Sequence, residues 1–160
     1  MTDIRFRPVT DGDREFLHTV YASTREDELA VVPWTPEQKA AFLRMQFDAQ
    51  DKDYHANYGD AQFLVIEVDG RPVGRLYLHR REREFCIIDI ALLPEARGAG
   101  LGAGILRDIL AEAGRAGKPV TIHVERFNRA LHLYERLGFQ PIEDQGVYRL
   151  MRWSPPELVK

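Results

Sequence analysis

The stretch FCIIDIALL, residues 85–93, constrains the fold more than any other part of this 160-residue chain. A strand with one face toward solvent alternates apolar and polar side chains, whereas this stretch is apolar at nearly every position, which suits a strand buried on both faces. We therefore predict that it forms a central strand of a sheet. Asp89 is its one charged residue, and because an unpaired buried charge is costly, this carboxylate must have a partner, face a cleft or titrate upward.

The flanking patterns predict an ordered series of strands and helices. Period-2 runs predict strands at residues 4–9, on either side of Asp69-Gly70, at 120–125 and around Asp144-Gln145-Gly146. Period-3.6 runs predict helices at residues 13–24, from Pro36 to near Gly59, within 99–118 up to Gly114 or Gly117, and at 128–138 with Gly138 as a left-handed cap. The predicted order is β-α-α-β-β-β-α-β-α-β-β, an α/β (α+β) fold.

Composition limits the class of protein. The chain is long enough for one domain, residues 1–160, and its net charge of −3 lacks the basic excess of a nucleic-acid binder. Cys86 is the only cysteine, which excludes an intramolecular disulfide and a thiolate zinc cluster, and His18, His55, His79 and His132 do not have metal-ligand spacing. With no signal peptide or membrane span visible, we predict a cytoplasmic protein without a metal, nucleic-acid or membrane partner.

Four glycines occupy every second position from Gly98 to Gly104, between the central strand and the next helix. Residues 98–103 match G-x-G-x-x-A, a form of the dinucleotide fingerprint, which places its first glycine directly after a strand and is followed by further βα units. Here five residues, 93–97, come between strand and glycine, and only one α-β-α-hairpin unit follows Ala103. The element order therefore argues against a dinucleotide, and the lack of G-K-[ST] argues against a P-loop.

The same glycines still suit an anion. Gly102 and Gly104 inside a helix each cost about 1 kcal/mol relative to alanine, which makes close packing a costly explanation for them. Consecutive amide N–H groups at a helix start, with no β-carbons in the way, bind anions and gain from the helix dipole. We favour an anion-binding loop over a loop that serves packing alone.

Two motifs, taken with the element order, resemble one enzyme family. Arg97-x-x-Gly100-x-Gly102, entered from the central strand and leading into a helix, looks like the acyl-CoA pyrophosphate loop of the GNAT acetyltransferases. The later segment ERFNRALHLYERLGF resembles the second signature of that family, with its expected residues in order: Asn128, Ala130, Tyr134, Gly138 and Phe139. The resemblance runs from Ile4 to Trp153 and implies a single N-acetyltransferase domain with a mixed, mostly antiparallel sheet and splayed central strands.

The resemblance also implies where acetyl-CoA, the acyl donor, binds. The pantetheine arm would hydrogen-bond like an extra strand to the backbone edge of Ile90, Ala91 and Leu92. The pyrophosphate would lie on the loop amides, with Arg97 and Arg107 adding charge; the loop residues are Gly98, Ala99, Gly100, Leu101, Gly102 and Ala103. Ala99 departs from the family, in which many members have a basic residue at this position. Asn128 resembles the asparagine that binds the cofactor arm, and its rival role is the N-cap of the helix.

The chemistry that the resemblance implies is direct attack of a neutral amine on the thioester in a ternary complex. Such an attack needs a proton acceptor or a water chain and gains from a donor to the leaving thiolate. Tyr134 occupies the family's general-acid position and also fits an amphipathic core tyrosine. His123 and Glu125, on one face of their strand, rank ahead of Asp89 as the general base. A water relay without a single base is an equal alternative.

The predicted function is an acetyl-CoA-dependent N-acetyltransferase that acts on a primary amine of a small molecule, peptide or protein. The alternative is a non-catalytic acyl-CoA-binding sensor or interaction module of the same fold. The acidic run TREDEL, residues 24–29, fits either a rim for a cationic amine or an ordinary solvated segment. Trp34, Phe47, Tyr54 and Tyr58 fit either an acceptor pocket or the contact of a homodimer.

Overall fold

The computed structural model describes residues 3–125, 128, 130–146 and 148–156. The strands are β1 (Ile4–Pro8), β2 (Gln62–Val68), β3 (Arg71–Arg80), β4 (Phe85–Leu92), β5 (Val120–Glu125), β6 (Gln140–Gln145) and β7 (Tyr148–Trp153). The helices are α1 (Arg14–Thr24), α2 (Glu26–Ala30), α3 (Pro36–Asn57), α4 (Leu101–Arg115) and α5 (Leu131–Arg136). Short 3-10 turns at Asp11–Asp13 and Pro94–Ala96 precede α1 and the glycine loop.

The strands form one mixed sheet in the order β1-β2-β3-β4-β5-β7-β6. β4 is therefore a central strand, as its apolar sequence predicts, and its first four residues, 85–88, are all buried. β4 and β5 run parallel, whereas β1 pairs antiparallel with β2 and β7 pairs antiparallel with both β5 and β6. The predicted α/β class with a mixed, mostly antiparallel sheet is confirmed.

The predicted element order is found with one addition, the five-residue helix α2. It lies within the acidic run that was expected to be only a connection between two longer helices. Five residues are too few to show a helical period, so the apolar pattern gives no signal. Its first turn carries Glu26, Asp27 and Glu28, and such carboxylates stabilise a helix start through the helix dipole.

Two of the predicted turns depend on left-handed residues. Asp69 (φ +51°) and Gly70 (φ +82°) form the two-residue connection between β2 and β3, in which both central residues of a type I′ turn need positive φ. Gly117 is left-handed at φ +69°, whereas Gly114 lies inside α4, so Gly117 is the glycine that follows the end of that helix. Gly138 after α5 is also left-handed, as predicted.

The two long helices of the first half, α1 and α3, begin as predicted and share a small core. Thr35 caps α3, since its hydroxyl accepts from Gln38 N at 3.1 Å while Gln38 Oε1 accepts from Thr35 N at 2.9 Å. Phe47 of α3 is buried with Leu17 and Tyr21 of α1. Phe47 is therefore a packing residue. The alternatives of an acceptor pocket and a dimer contact then apply to Trp34, Tyr54 and Tyr58.

The chain divides into two compact units. One consists of the residues up to Leu76 together with Ile90–Ala96, and the other of Tyr77–Asp89 together with the residues from Arg97 onward. The end of β4 and the glycine loop that follows it therefore belong to different units.

Candidate active site

β4 and β5 stop pairing before either strand ends. Their register pairs are Phe85 with Val120, Cys86 with Thr121 and Ile87 with Ile122. Beyond these three pairs the described parts of the two strands share no register pair, although β4 continues to Leu92 and β5 to Glu125. This early end of pairing is the splay of the central strands that the family resemblance implies.

Ile90, Ala91 and Leu92 form the half-buried end of β4. Gly74 of β3 lies directly against it: a β-carbon at Gly74 would overlap the carbonyl oxygen of Ala91 and lie 2.9 Å from Leu92 Cδ2. Leu93 N also donates to Val73 O at 2.8 Å, so β3 holds one edge of this segment. Gly74 was not among the predicted site residues, although an isolated glycine inside a strand pattern is the usual sign of a close backbone approach.

We expect Gly74→Ala to lower the free energy of unfolding by about 1–3 kcal/mol, because a backbone oxygen cannot give way as a flexible side chain can. The end of β4 should shift, so acetyl-CoA affinity should fall as well. Urea unfolding and calorimetric titration measure the two effects. Gly59→Ala is the matched control, since a β-carbon there meets only His55 O at an ordinary 3.6 Å. Equal stability and affinity in both variants would contradict the close approach.

The glycine loop combines two left-handed residues with an open helix start. Gly98 (φ +82°) and Gly100 (φ +80°) are both left-handed. Gly100 is the N-cap of α4 and offers no side-chain cap, and the first turn of α4 carries no acidic residue. Gly104 N donates to Gly100 O at 2.9 Å, and the amides ahead of it precede the intrahelical hydrogen bonds. The positive end of the helix dipole is therefore not compensated by a carboxylate of its own first turn.

Packing does not account for these glycines. A β-carbon at Gly98, Gly100 or Gly104 would meet nothing within 4 Å in the described chain beyond its adjacent residues and, for Gly104, the backbone of its own helix. The left-handed backbone explains Gly98 and Gly100, but Gly104 is helical, and alanine there would favour the helix by about 1 kcal/mol. Arg97, Gly98, Ala99 and Gly100 are exposed. The loop thus offers accessible backbone with open space above it, which an anion site requires.

Tyr134 of α5 is buried beside Phe139, with the two ring centroids 5.9 Å apart in an edge-on arrangement. Burial raises the pKa of its hydroxyl, and the negative charge of Asp89 raises it further. The hydroxyl therefore keeps its proton throughout the neutral range, as a general acid must. Asp89 itself is half-buried, two residues past the last register pair of β4 with β5.

His123 and Glu125 lie on the opposite face of the sheet from Asp89. Ile87 and Ile122 are register partners and share a face, and the alternation of side chains then places Asp89 on that face and His123 and Glu125 on the other. Of the three candidate bases, Asp89 is the one whose charge acts on Tyr134. The structure therefore does not bring the candidates together as one group.

The surroundings of His123 lower the pKa of its imidazole. Burial lowers the pKa of its imidazole, and Arg81 lowers it further, whereas Glu143 raises it. Leu150 separates His123 from Glu143 in the ladder of β5, β7 and β6. Burial and Arg81 thus favour the neutral imidazole, but the side chain lies on the face opposite to Asp89.

Asn128 has a local role at the entrance to α5. Its Oδ1 accepts from Ala130 N at 2.7 Å, and its carbonyl oxygen accepts from Leu131 N at 3.1 Å. The N-cap of α5 is nevertheless Ala130, with no side-chain cap, so the expected N-cap role of Asn128 is wrong: its bond to Ala130 N closes a turn ahead of the helix, which begins at Leu131. Its contact with the cofactor arm stays a prediction, as do the binding roles of Ile90–Leu92 and of the glycine loop.

Over the described ranges, no three His, Cys, Asp or Glu side chains come together as a metal site would need. No described helix has the length and apolar content to cross a membrane.

Comparison with known sequences decides the family. The profile described as the acetyltransferase (GNAT) domain matches residues 59–141, which is more than half of the chain. The chain belongs to the GNAT acetyltransferase family. GNAT acetyltransferases use acetyl-CoA, the acyl donor that the two sequence motifs imply.

The individual proteins that resemble this GNAT chain share only a limited part of its sequence. The mycothiol acetyltransferase of Streptomyces griseus subsp. griseus is 29% identical over 127 residues, which cover 72% of this chain. The chain spans only 41% of the length of that curated relative. Among solved structures, the PaiA N-acetyltransferase from Thermoplasma acidophilum in complex with coenzyme A is 18% identical, with a TM-score of 0.70 over 95% of this chain and 99% of its own. The ribosomal-protein-S18-alanine N-acetyltransferase from Escherichia coli is 17% identical, with a TM-score of 0.63 over 95% and 94%. Both likenesses establish the GNAT fold of this chain.

Proposed function

We propose that this chain is an acetyl-CoA-dependent N-acetyltransferase, with residues 1–160 forming a single catalytic domain that acts in the cytoplasm. Its acceptor is a primary amine of a small molecule, peptide or protein. The observation that carries the proposal is the glycine loop, in which Gly98 and Gly100 are left-handed, Gly104 has no packing role, and the helix start has no carboxylate. These features together suit a diphosphate ester.

The donor binds through backbone groups in the proposal. The amides from Gly98 to Ala103 hold the pyrophosphate of acetyl-CoA, and the exposed guanidinium of Arg97 adds positive charge. The pantetheine arm lies along the edge of Ile90–Leu92, whose other edge is held by β3. Ala99 contributes no charge, so this loop relies on its amides more than relatives with a basic residue there.

The transfer proceeds by direct attack in the ternary complex. The lone pair of the neutral amine forms the new C–N bond to the acetyl carbon, and the C–S bond breaks with its electron pair leaving on sulfur. Tyr134 donates its hydroxyl proton to that sulfur, and the excess proton on nitrogen passes to a base. Asp89 is the preferred base, because its charge reaches Tyr134 and it follows the last β4–β5 pair; a water relay without a single base is the alternative.

A charge reversal in the loop tests donor binding. We expect Ala99→Glu to weaken acetyl-CoA binding by about tenfold or more, because a carboxylate would stand beside the pyrophosphate, and Ala99→Lys to strengthen it. Ala111→Glu makes the same charge change at an exposed position three turns along α4 and should leave the affinity unchanged. Calorimetric titration with acetyl-CoA, CoA and NADH measures all three variants.

The thermal midpoint serves as the internal check, because an acidic residue near the helix start should not destabilise α4. An affinity loss in Ala99→Glu with an unchanged thermal midpoint supports the site. Equal affinities in Ala99→Glu and Ala111→Glu, or tight binding of NADH without a response to acetyl-CoA, would overturn the assignment of the loop.

A further inference from the structure

Helix α3 carries apolar residues on two faces. One face packs on α1 through Phe47 and Leu43. The other face carries Ala41, Met45 and Ala49, each four residues from the next and therefore in one line along the helix. All three are exposed, and Met45 is 61% exposed. A surface helix normally turns polar residues away from its core, so this second line is not explained by the packing of the chain itself.

The exposed apolar surface continues past the start of α3. The ring of Trp34, just before the helix, lies edge-on to Phe42 with the centroids 5.1 Å apart. Trp34 is 41% exposed, and Val31 nearby in the chain is 85% exposed. Phe42 lies three residues before Met45 and is its neighbour on the helix surface, so Trp34 borders this line. We call the set of Trp34, Ala41, Met45 and Ala49 the Met45 face. A grouped apolar surface of this kind marks an interaction site more often than single exposed residues do.

Charges at the two ends of the Met45 face have opposite signs. Glu37 precedes Met45 by eight residues and Lys52 follows it by seven, about 12 and 10.5 Å along the helix axis. Both side chains are exposed, and neither has an ion-pair partner among the described residues. Nearer the centre, Arg44 and Asp48 flank the line and bind within the chain to Glu15 and Arg14 respectively.

We infer that the Met45 face binds the same face of a second copy of this chain, with the two α3 helices antiparallel and Met45 at the two-fold axis. A parallel pair would place Glu37 against Glu37 and Lys52 against Lys52, which like charges oppose. The antiparallel pair instead places Glu37 opposite Lys52 of the second copy and Arg44 opposite its Asp48.

Side-chain size agrees with this register. Ala41 of one copy lies opposite Ala49 of the other, so small residues flank the central Met45 pair. Small residues at the contact allow two helices to approach at the short end of the usual interaxial range of about 8–10 Å. Trp34 then extends toward the last turn of the second copy's α3. It adds apolar area to the contact, because one pair of helices buries only part of the area that a stable dimer needs.

Sedimentation velocity over a concentration series tests the dimer. The wild-type chain should show a reversible monomer–dimer equilibrium, and Met45→Glu should raise the dimer dissociation constant by at least about tenfold. Ile142→Glu places the same charge at an exposed apolar residue of β6 and should have no effect. A wild-type chain that stays monomeric at the highest concentration, or a Met45→Glu chain that dimerises like wild type, would overturn the inference.

Cysteine cross-linking and charge exchange test the register. Met45→Cys should form a disulfide-linked dimer under mild oxidation, whereas Ala41→Cys alone should not, and a mixture of Ala41→Cys with Ala49→Cys should. The native Cys86 is buried and does not compete. Glu37→Lys should weaken the dimer, and adding Lys52→Glu should restore it. Cross-linking of Ala41→Cys with itself, or no restoration in the double variant, would rule out the antiparallel register. None of these measurements requires acetyl-CoA, so their outcome is independent of the proposed activity.

Discussion

Tyr134→Phe is expected to lower kcat about 100-fold and to leave acetyl-CoA affinity within about twofold, because it removes one proton donor and no ring contact. The phenylalanine ring retains the edge-on contact with Phe139, so the fold should tolerate the change. Release of free thiol from acetyl-CoA with a panel of primary amines measures turnover, and calorimetry measures donor affinity. The same panel identifies the acceptor.

Tyr21→Phe is the matched control, since it removes the hydroxyl of another buried tyrosine, one that donates to Gln46 Oε1 at 3.1 Å. It should cost about 0.5–1.5 kcal/mol of stability and leave kcat unchanged. Parallel losses of turnover and affinity in Tyr134→Phe would show that Tyr134 is structural. Donor binding without turnover for any amine, in the wild-type chain, would leave the non-catalytic acyl-CoA-binding module as the function.

The pH dependence of turnover tests whether burial and the charge of Asp89 raise the pKa of Tyr134. Burial and Asp89 both raise the pKa of Tyr134, so the acid form persists and the alkaline fall in kcat should lie above the usual tyrosine pKa of about 10. Asp89→Asn removes the negative charge. The residual activity should then fall at lower pH than in the wild-type chain, whatever the change does to the rate itself. An alkaline limb that does not move would separate Asp89 from Tyr134.

Asp13→Ala is expected to lower the free energy of unfolding by about 3 kcal/mol, the largest stability effect that we predict. Asp13 is buried, and its carboxylate accepts from Arg7 at 2.8 Å through both terminal nitrogens and from Thr10 N at 2.7 Å. Removing it leaves Arg7 with Glu67 and takes away the cap of the turn that starts α1. Asp11→Ala, an exposed change in the same turn, should alter stability by less than about 0.5 kcal/mol.

Acid should remove the difference between wild type and Asp13→Ala. The hydrogen bonds from Arg7 hold the pKa of Asp13 well below its usual range, so the folded state stabilises the carboxylate. This contribution is fully present above the unfolded pKa of about 3.9 and is lost as the pH falls below it. Urea unfolding at a series of pH values should show the two curves converge at low pH. A constant difference down to pH 2 would contradict the ion pair as the cause.

The features that local sequence determines were predicted correctly. The uniform apolar character of residues 85–92 places β4 in the interior of the sheet, and Asp69-Gly70 specifies a hairpin because few residue pairs accept two left-handed conformations. The loop from Arg97 to Gly102 and the segment around Tyr134 identify the family, which the match over residues 59–141 establishes.

Features that depend on strand register or on contacts between residues far apart in the chain could not be predicted from the sequence. Alternation shows that His123 and Glu125 share a face, but the face of Asp89 follows only from the pairing of Ile87 with Ile122. That Asp89 lies on the other face from His123 and Glu125 therefore could not be predicted from the sequence. Gly74 is needed because its backbone approaches Ala91, which is seventeen residues away and on another strand. Helix α2 was missed because five residues are too few to show a helical period.

The early end of the β4–β5 ladder has a consequence for hydrogen exchange. In a regular ladder an amide is protected by the neighbouring strand, but along an interrupted one the amides that face the gap depend on water or on a visiting ligand for their hydrogen bonds. The middle of this sheet, ordinarily the slowest region of a protein to exchange, should therefore contain backbone amides that exchange quickly. Phe85 N donates toward β5, to Pro119 O, so by alternation the Asp89 amide is the first one past the last β4–β5 pair that faces the gap. Deuterium uptake at Asp89 should therefore fall when a ligand occupies the gap.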